Sequence, residues 1–468
     1  LWQRQNQGGE IEILMHNIDD HRYTRRQSLR AAGGFLLGAC AAEQTWGQSE
    51  PGRSPAAAGN PRAIAGDPVE PAWDERLTVT VGERDADIVG TTDRAIQAAV
   101  DYAGQRGGGT VQISPGTYRL RNAIYLSSRI RIKGSGPDTV LIKEPSVTTT
   151  LAADSDWYDQ EITLADARGF QLGDGICLRA KNPATGGPVV IKRTLVARTG
   201  NRFRLDRALR ENLWLQGAPT AATLFPLISG ENIAGIAVEG LTLDGNKNHN
   251  DNLDGNYAGC IFLQDCKDVQ IQNVVARNNN GDGISWQICH DVTVENCHSH
   301  DHAGLGLHPG SGSQRPIMRG NRLERNQIGI FFCWGVRFGL AENNTITEAR
   351  TAGVSIGHRD TDNVVRGNSI NRSGQVGILF RDETHAFGAH RNRCERNQII
   401  DSGGDDGVGI DVRGYTEGAY LAENAVRETR QPMARIGIRI GPKARDITLV
   451  DNRLDGYGLK VSDLRSHG

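Results

Sequence analysis

The sequence predicts an all-β fold, a right-handed parallel β-helix, on three observations. Glycine supplies 58 of 468 residues and aromatics only 6%, a composition suited to many short strands joined by tight turns. Two registers then recur from residue 228 onward. In one, asparagine precedes a mostly apolar position two residues on, at Asn273, Asn296, Asn321, Asn344, Asn368, Asn397, Asn424 and Asn452. In the other, glycine opens an alternating strand, at Gly259, Gly283, Gly304, Gly329, Gly353, Gly377, Gly409 and Gly437. A repeat of roughly two dozen residues holding two or three short strands fits one solenoid turn, whose coils bury an apolar interior only by stacking. Asparagine at the same bend of every coil serves the backbone of its neighbour. The fixed leucine offsets of leucine-rich repeats are missing from the sequence.

The elements follow in order. Residues 1–42 read as processing: residues 1–14 precede Met15 and fit an over-extended translation start. Residues 24–30, TRRQSLR, followed by small apolar residues at 31–42, resemble a twin-arginine export signal. The mature chain is therefore expected in the periplasm, outside the cell, or tethered by a lipid on Cys40. No apolar run reaches the roughly 18 residues of a spanning helix, so no transmembrane segment is expected. Residues 43–72, rich in Pro, Gly, Ser and Ala, form a linker. A cap and the first coils are assigned to 73–147, a small inserted β-domain to 148–226, regular coils to 227–460 and a tail to 461–468.

Order begins near Trp73. Thr91, Thr92 and Asp93 offer helix caps, Ala95, Ile96, Ala99, Val100 and Ala103 recur at helical spacing, and residues 107–109 are three glycines that stop the helix. Strands and a Ser-Pro-Gly-Thr-Tyr turn at 114–118 lead to Ile130-Arg-Ile-Lys-Gly-Ser-Gly136. This succession resembles the amino-terminal cap of the pectate lyase-like and polygalacturonase-like superfamily of right-handed parallel β-helices. The resemblance implies a capping helix that plugs the open end of the solenoid.

Charge and cysteine content narrow the partners. Lys plus Arg number 53 against 55 for Asp plus Glu, a net charge of -2, so no basic field argues for nucleic acid. Beyond Cys40 lie Cys177, Cys260, Cys266, Cys289, Cys297, Cys333 and Cys394. They lack metal-ligand spacing and read as buried small apolar residues, with Cys266 and Cys289 the pair able to bridge.

Counting four or five residues beyond each register glycine collects Gln287, His308, Trp334 beside Cys333, His358 with Arg359, Arg381 with Asp382, and Arg413, with Glu383, His385 and Asp411 close by. These are expected to face outward in one column. His, Arg, Asp and Trp gathered over consecutive coils suit a groove for a polyanionic glycan: Trp334 stacks on a sugar ring, and Arg359, Arg381 and Arg413 pair with carboxylates or sulfates. The expected activity is a lyase cleaving an acidic polysaccharide by β-elimination. Arg381 or Arg359 neutralises the uronate carboxylate, His308 or His358 removes the C5 proton, and Asp382 orients a histidine. Gln287, Trp334, Arg359, Glu383, His385, Asp411 and Arg413 bind substrate.

Alternatives stay open. Asn279-Asn-Gly-Asp282-Gly-Ile284 is similar to the Asn-Thr-Asp-Gly segment of polygalacturonases, which implies Asp282 as an acid of hydrolysis facing a second carboxylate such as Asp301 or Asp382. A C5 epimerase or a non-catalytic glycan binder uses the same column. Pectate lyases of this fold use Ca²⁺. The Asp244, Asp251 and Asp254 loop with Lys247 is polar enough to hold that ion, although an ordinary turn explains it equally, and no cofactor or metal ligand is assigned. A monomer or weak oligomer is expected.

Overall fold

Apolar spacing places the first regular element of the ordered chain. The computed structural model describes residues 3–5, 11–13, 71–430 and 434–465. The export signal, Cys40 and most of the linker lie outside the described residues. The chain divides into two units, 1–72 and 73–468. In the first, Gln3–Gln5 pairs antiparallel with Ile11–Ile13. In the second, the helix Asp93–Gln105 buries Ala95, Ile96, Ala99, Val100 and Ala103 in the core that continues through the coils. Gly107 and Gly108 end it at φ 92 and 112, and a Cβ on Gly108 would collide with the Arg129 carbonyl, so glycine is required there.

Three parallel sheets then wrap that core, giving the expected β-helix. Face I holds thirteen strands, face II eleven and face III eleven. Face III runs through Ile228–Glu231, Ile261–Gln264, Ile284–Gln287, Leu307–Gly310, Ile328–Phe331, Ala352–Ile356, Val376–Phe380, Val408–Val412 and Ile436–Ile440. Ile284, Trp286, Leu307, Ile330, Ile356 and Phe380 point into the core. Because strand side chains alternate, the outward series is Ser229, Phe262, Ser285, His308, Phe331, Ser355, Leu379, Asp411 and Arg439.

Both sequence registers need a local correction. From Asn321 through Asn344, Asn368, Asn397 and Asn424 to Asn452, each amide donates to the next Oδ1 at 2.9 Å. Cys297, not Asn296, occupies that position one coil earlier, its N–H donating to Asn321 Oδ1 at 2.9 Å. Asn273 and Asn296 sit exposed at φ 53, a conformation asparagine tolerates well. Likewise Gly306, not Gly304, belongs to the glycine stack, since a Cβ on it would press on the Gly329 carbonyl at 2.7 Å just as one on Gly283 would press on that of Gly306 at 2.8 Å. His308 therefore lies opposite Ser285, and Gln287 opposite Gly310.

Between residues 148 and 222 a six-stranded antiparallel sheet leaves the solenoid. Its Cys177 and Ala222, with Leu224, pack on Leu253 and Ala258 of the loop after Thr242–Asp244. Thr148 donates to Asp251 at 2.6 Å, and Lys192 Nζ lies 3.9 Å from the Phe262 ring centre. Sheet and loop thus roof the early coils of face III. All seven described cysteines are buried and free. Cys266 and Cys289 stand one coil apart, the N–H of the first 3.4 Å from the sulfur of the second.

Candidate functional site

The strand Leu307–Gly310 delivers His308 to the outer side of face III, and the turn before Ile284–Gln287 delivers Asp282 beside it. Asp282 Oδ2 lies 2.7 Å from His308 Nδ1, while its Oδ1 accepts the Leu305 N–H at 2.8 Å. Ser285 donates to the Gly255 carbonyl at 2.6 Å and sits 3.4 Å from His308 Nδ1. Gly255 lies so close over Asp282 that a Cβ there would overlap the carboxylate, so the loop seals the dyad. Burial alone disfavours charge on the imidazole, but the Asp282 hydrogen bond and the neighbouring Cys333 outweigh it and raise His308 to about 10. Burial also raises Asp282, against the opposing pull of His308. His308 therefore carries its proton at neutral pH, and His308 Nε2 and Gln287 Oε1 are buried without hydrogen-bond partners.

A second group assembles two coils on. Arg381 lies over the Phe331 ring at 4.4 Å and donates to Ser355 Oγ at 2.9 Å, to the Phe332 carbonyl at 2.9 Å and to Asp360 Oδ2 at 3.1 Å. Asp360 also accepts the N–H groups of Gly335, Val336 and Gly357 at 2.9, 2.9 and 3.0 Å. Burial pushes its carboxyl up to about 6 despite those partners and Arg381. At the adjoining bend Trp334 and His358 stack at 4.3 Å, His358 and Phe387 at 4.5 Å, and Arg359 covers Phe387 at 5.0 Å. Glu383 Oε2 lies 3.5 Å from His358 Nδ1.

The expected single outward column is thus two neighbouring files, one on the strands and one at the bend. The structure groups Asp282, Gln287 and His308, and separately Trp334, His358, Arg359, Arg381 and Glu383. Asp382 is exposed, and Glu383 rather than Asp382 approaches His358. His385 is exposed 3.2 Å from Glu417. Asp411 and Arg413 form a later ion pair at 2.6 Å that Arg439 joins at 2.9 Å. Gln287, His308, His358 and Asp411 are buried although all four were expected to be exposed, because the loop, the aromatic rings and arginine side chains cover them. Sequence reasoning missed Ser355, Asp360 and Phe387. Phe387 lies in the turn His385–Phe387, inside a long coil where no register reaches, whereas Asp360, two residues beyond His358, carried a local signal.

Other polar groups are committed elsewhere. Asp301 is held by Arg325 at 2.7 Å and His300 at 2.6 Å, and His298 stacks on His300 at 4.1 Å and bonds Glu324 at 2.9 Å. In the loop suited to Ca²⁺, Asp244 pairs with Arg277 at 2.8 Å, Asp251 with Thr148 and Asp254 with Asn256. Among the described residues no group of three or more His, Cys, Asp or Glu side chains is arranged to hold a metal ion. Two open depressions, one lined by Glu161, Arg202 and Arg204 and one by Arg193, Arg207 and Glu231, lie at the inserted sheet, apart from the files on face III.

Comparison with known proteins agrees with this architecture. Residues 234–426 match the family model described as a right handed beta helix region. No curated protein matches the sequence. The A-module of an Azotobacter vinelandii mannuronan C-5 epimerase is similar at 16% identity over 79% of this chain and 91% of that one, with a TM-score of 0.51. The Dettilon tailspike protein is similar at 11% identity over 80% and 62%, TM-score 0.51. An exopolygalacturonase from Thermotoga maritima matches at 12% identity over 84% and 95%, TM-score 0.46. At these identities the likeness is one of fold: the chain is a right-handed parallel β-helix.

Proposed function

We propose that face III of this β-helix binds an acidic polysaccharide and cleaves it by β-elimination. The observation that carries the reading is the Trp334–His358–Phe387 stack, with Glu383 at the His358 imidazole and Arg359 exposed at its edge. Aromatic faces stack on sugar rings, and a guanidinium pairs with a uronate carboxylate in bidentate geometry. Neutralising that carboxylate acidifies the C5 proton. His358 removes it, the electrons form the C4–C5 double bond, and the glycosidic oxygen departs from C4, taking a proton from water, while His358 passes the C5 proton to solvent. Glu383 favours the proton on Nδ1 and leaves Nε2 as the base.

Spacing divides the histidines. His308 and His358 stand two coils, about 10 Å, apart, so one bond cannot use both. His308 is moreover an imidazolium at neutral pH, which unfits it as a base. Arg381, engaged through its terminal nitrogens with Ser355, Phe332 and Asp360, positions the bend and leaves Arg359 to meet substrate. Hydrolysis by paired carboxylates has less support, since Asp282 is committed to His308 and Asp301 to Arg325 and His300. The twin-arginine-like segment supports export to where such polymers occur.

Product masses test the proposal. Uronate-containing and sulfated polysaccharides incubated with the protein should yield fragments lighter by one water than hydrolytic ones. Water-added fragments would replace elimination with hydrolysis. Deuterium uptake at C5 from heavy water without shortening would replace it with epimerisation, and unchanged polymers would leave a binding protein.

A further inference from the structure

The elimination chemistry leaves the Asp282–His308 dyad unused, and the free end of that dyad adjoins a thiol. Cys333 follows the strand Ile328–Phe331 on the outward parity of Phe331, with the inward Phe332 between them, and its N–H donates to the Pro309 carbonyl at 3.0 Å. It therefore stands one coil from His308. With Nδ1 held by Asp282, Nε2 is the ring nitrogen left for the sulfur. No partner satisfies ordinary hydrogen-bond geometry at Nε2, yet the thiol is near enough to add to the imidazole's hold on its proton.

Two further observations single out this cysteine. Cys333 is 9% exposed, whereas the other six described cysteines are exposed by 2% or less. The chain also turns sharply directly after it, Trp334 adopting φ 65 and Gly335 φ 87. The N–H groups of Gly335 and Val336 are fixed on Asp360 Oδ1, while that of Trp334 makes no backbone or side-chain hydrogen bond among the described residues. An unengaged N–H in the residue after a nucleophile is placed to hold an oxyanion.

We propose that Cys333 and His308, positioned by Asp282, hydrolyse short acyl esters, an activity separate from cleavage of the polymer. The Cys333 sulfur, with the proton of the Cys333–His308 pair already resting on His308 Nε2, bonds to the ester carbonyl carbon. The carbonyl–oxygen bond breaks, and His308 gives that proton to the departing alcohol. Water, deprotonated by the now neutral His308, then attacks the thioester; the carboxylic acid leaves and the starting pair of sulfur and His308 imidazolium is restored. Ester and water become acid and alcohol, with no oxidant or cofactor consumed. Trp334 beside the thiol suits an ester carried on a sugar ring.

The test is acetyl transfer from p-nitrophenyl acetate to the full chain, followed by acid quench, intact mass and peptide mapping. One acetyl group on Cys333 is expected, lost in Cys333→Ser and formed roughly 100-fold more slowly in His308→Gln. Cys333→Ser should keep polymer cleavage, which separates failure here from failure of the elimination reading. In Asp282→Asn the His308 imidazole should titrate at lower pH by NMR. Native labelling with iodoacetamide supplies a readout independent of any variant's folding, with Cys333 expected to react first among the seven described cysteines. An acetyl group on another residue, an unchanged rate in His308→Gln, or another of those seven labelled before Cys333 would overturn the proposal.

Discussion

Burial acts on His302 and His308 in the same sense, but their partners differ and so do the outcomes. His302 accepts the Asn279 N–H at 3.1 Å, and burial lowers it to about 3. Folding then favours its neutral form, a contribution present above the unfolded value near 6.5 and lost as pH falls towards 3. His308, raised to about 10, contributes in the opposite direction: its stabilisation is complete below about 6.5 and is lost as pH rises through 10. Urea unfolding should therefore show stability declining between pH 7 and 9.5 by on the order of 3 kcal/mol, with the decline removed in His308→Gln. An unchanged slope in that variant would show that the dyad is not ionised as described. The residue types of this site were legible in the sequence; their burial was not, because Gly255 and the aromatic rings that cover them come from other segments.

At the scale of the element, the asparagine ladder and the glycine stack explain why coils of unequal length keep one register. Asn397 donates to Asn424 and to the Val365 carbonyl and accepts from the backbone and side chain of Asn368. Asn397→Ala leaves buried groups unpaired and should cost about 2 to 4 kcal/mol. Asn296→Gly should cost under about 0.5 kcal/mol, since Asn296 is exposed and left-handed outside the ladder. Chemical denaturation of the two variants tests the corrected register, and equal losses would refute it. The helix Asp93–Gln105 was readable because its apolar face has a single period. The slips at Asn296 and Gly304 arose where a second asparagine or glycine stood beside the structural position and composition could not choose between them. The slip at Gly304 placed His308 in the file of Gln287 instead of that of Ser285.

For the whole molecule, the solenoid repeats a sugar-sized step along face III while the inserted sheet and its loop close the early coils. Beyond that roof lies the bend of Trp334, His358 and Phe387, where His358 is buried between the rings and Arg359 is exposed at the edge. Periodicity announced the solenoid; the roof has no period and became visible only through contacts such as Lys192 with Phe262 and Leu253 with Cys177. Contacts with successive sugars predict that uronate oligosaccharides bind more tightly as they lengthen and more weakly as salt rises, with Arg359→Ala reducing the salt dependence in calorimetric titration. The most direct measurement is the ultraviolet absorbance of unsaturated uronate released from a polymer that wild type cleaves, followed in wild type, Glu383→Gln and His358→Ala. His358→Ala should lose at least about 100-fold in kcat while still binding polymer, and Glu383→Gln should lose about 10-fold. A His358→Ala protein that cleaves at the wild-type rate would contradict the assignment of the C5 base to this bend.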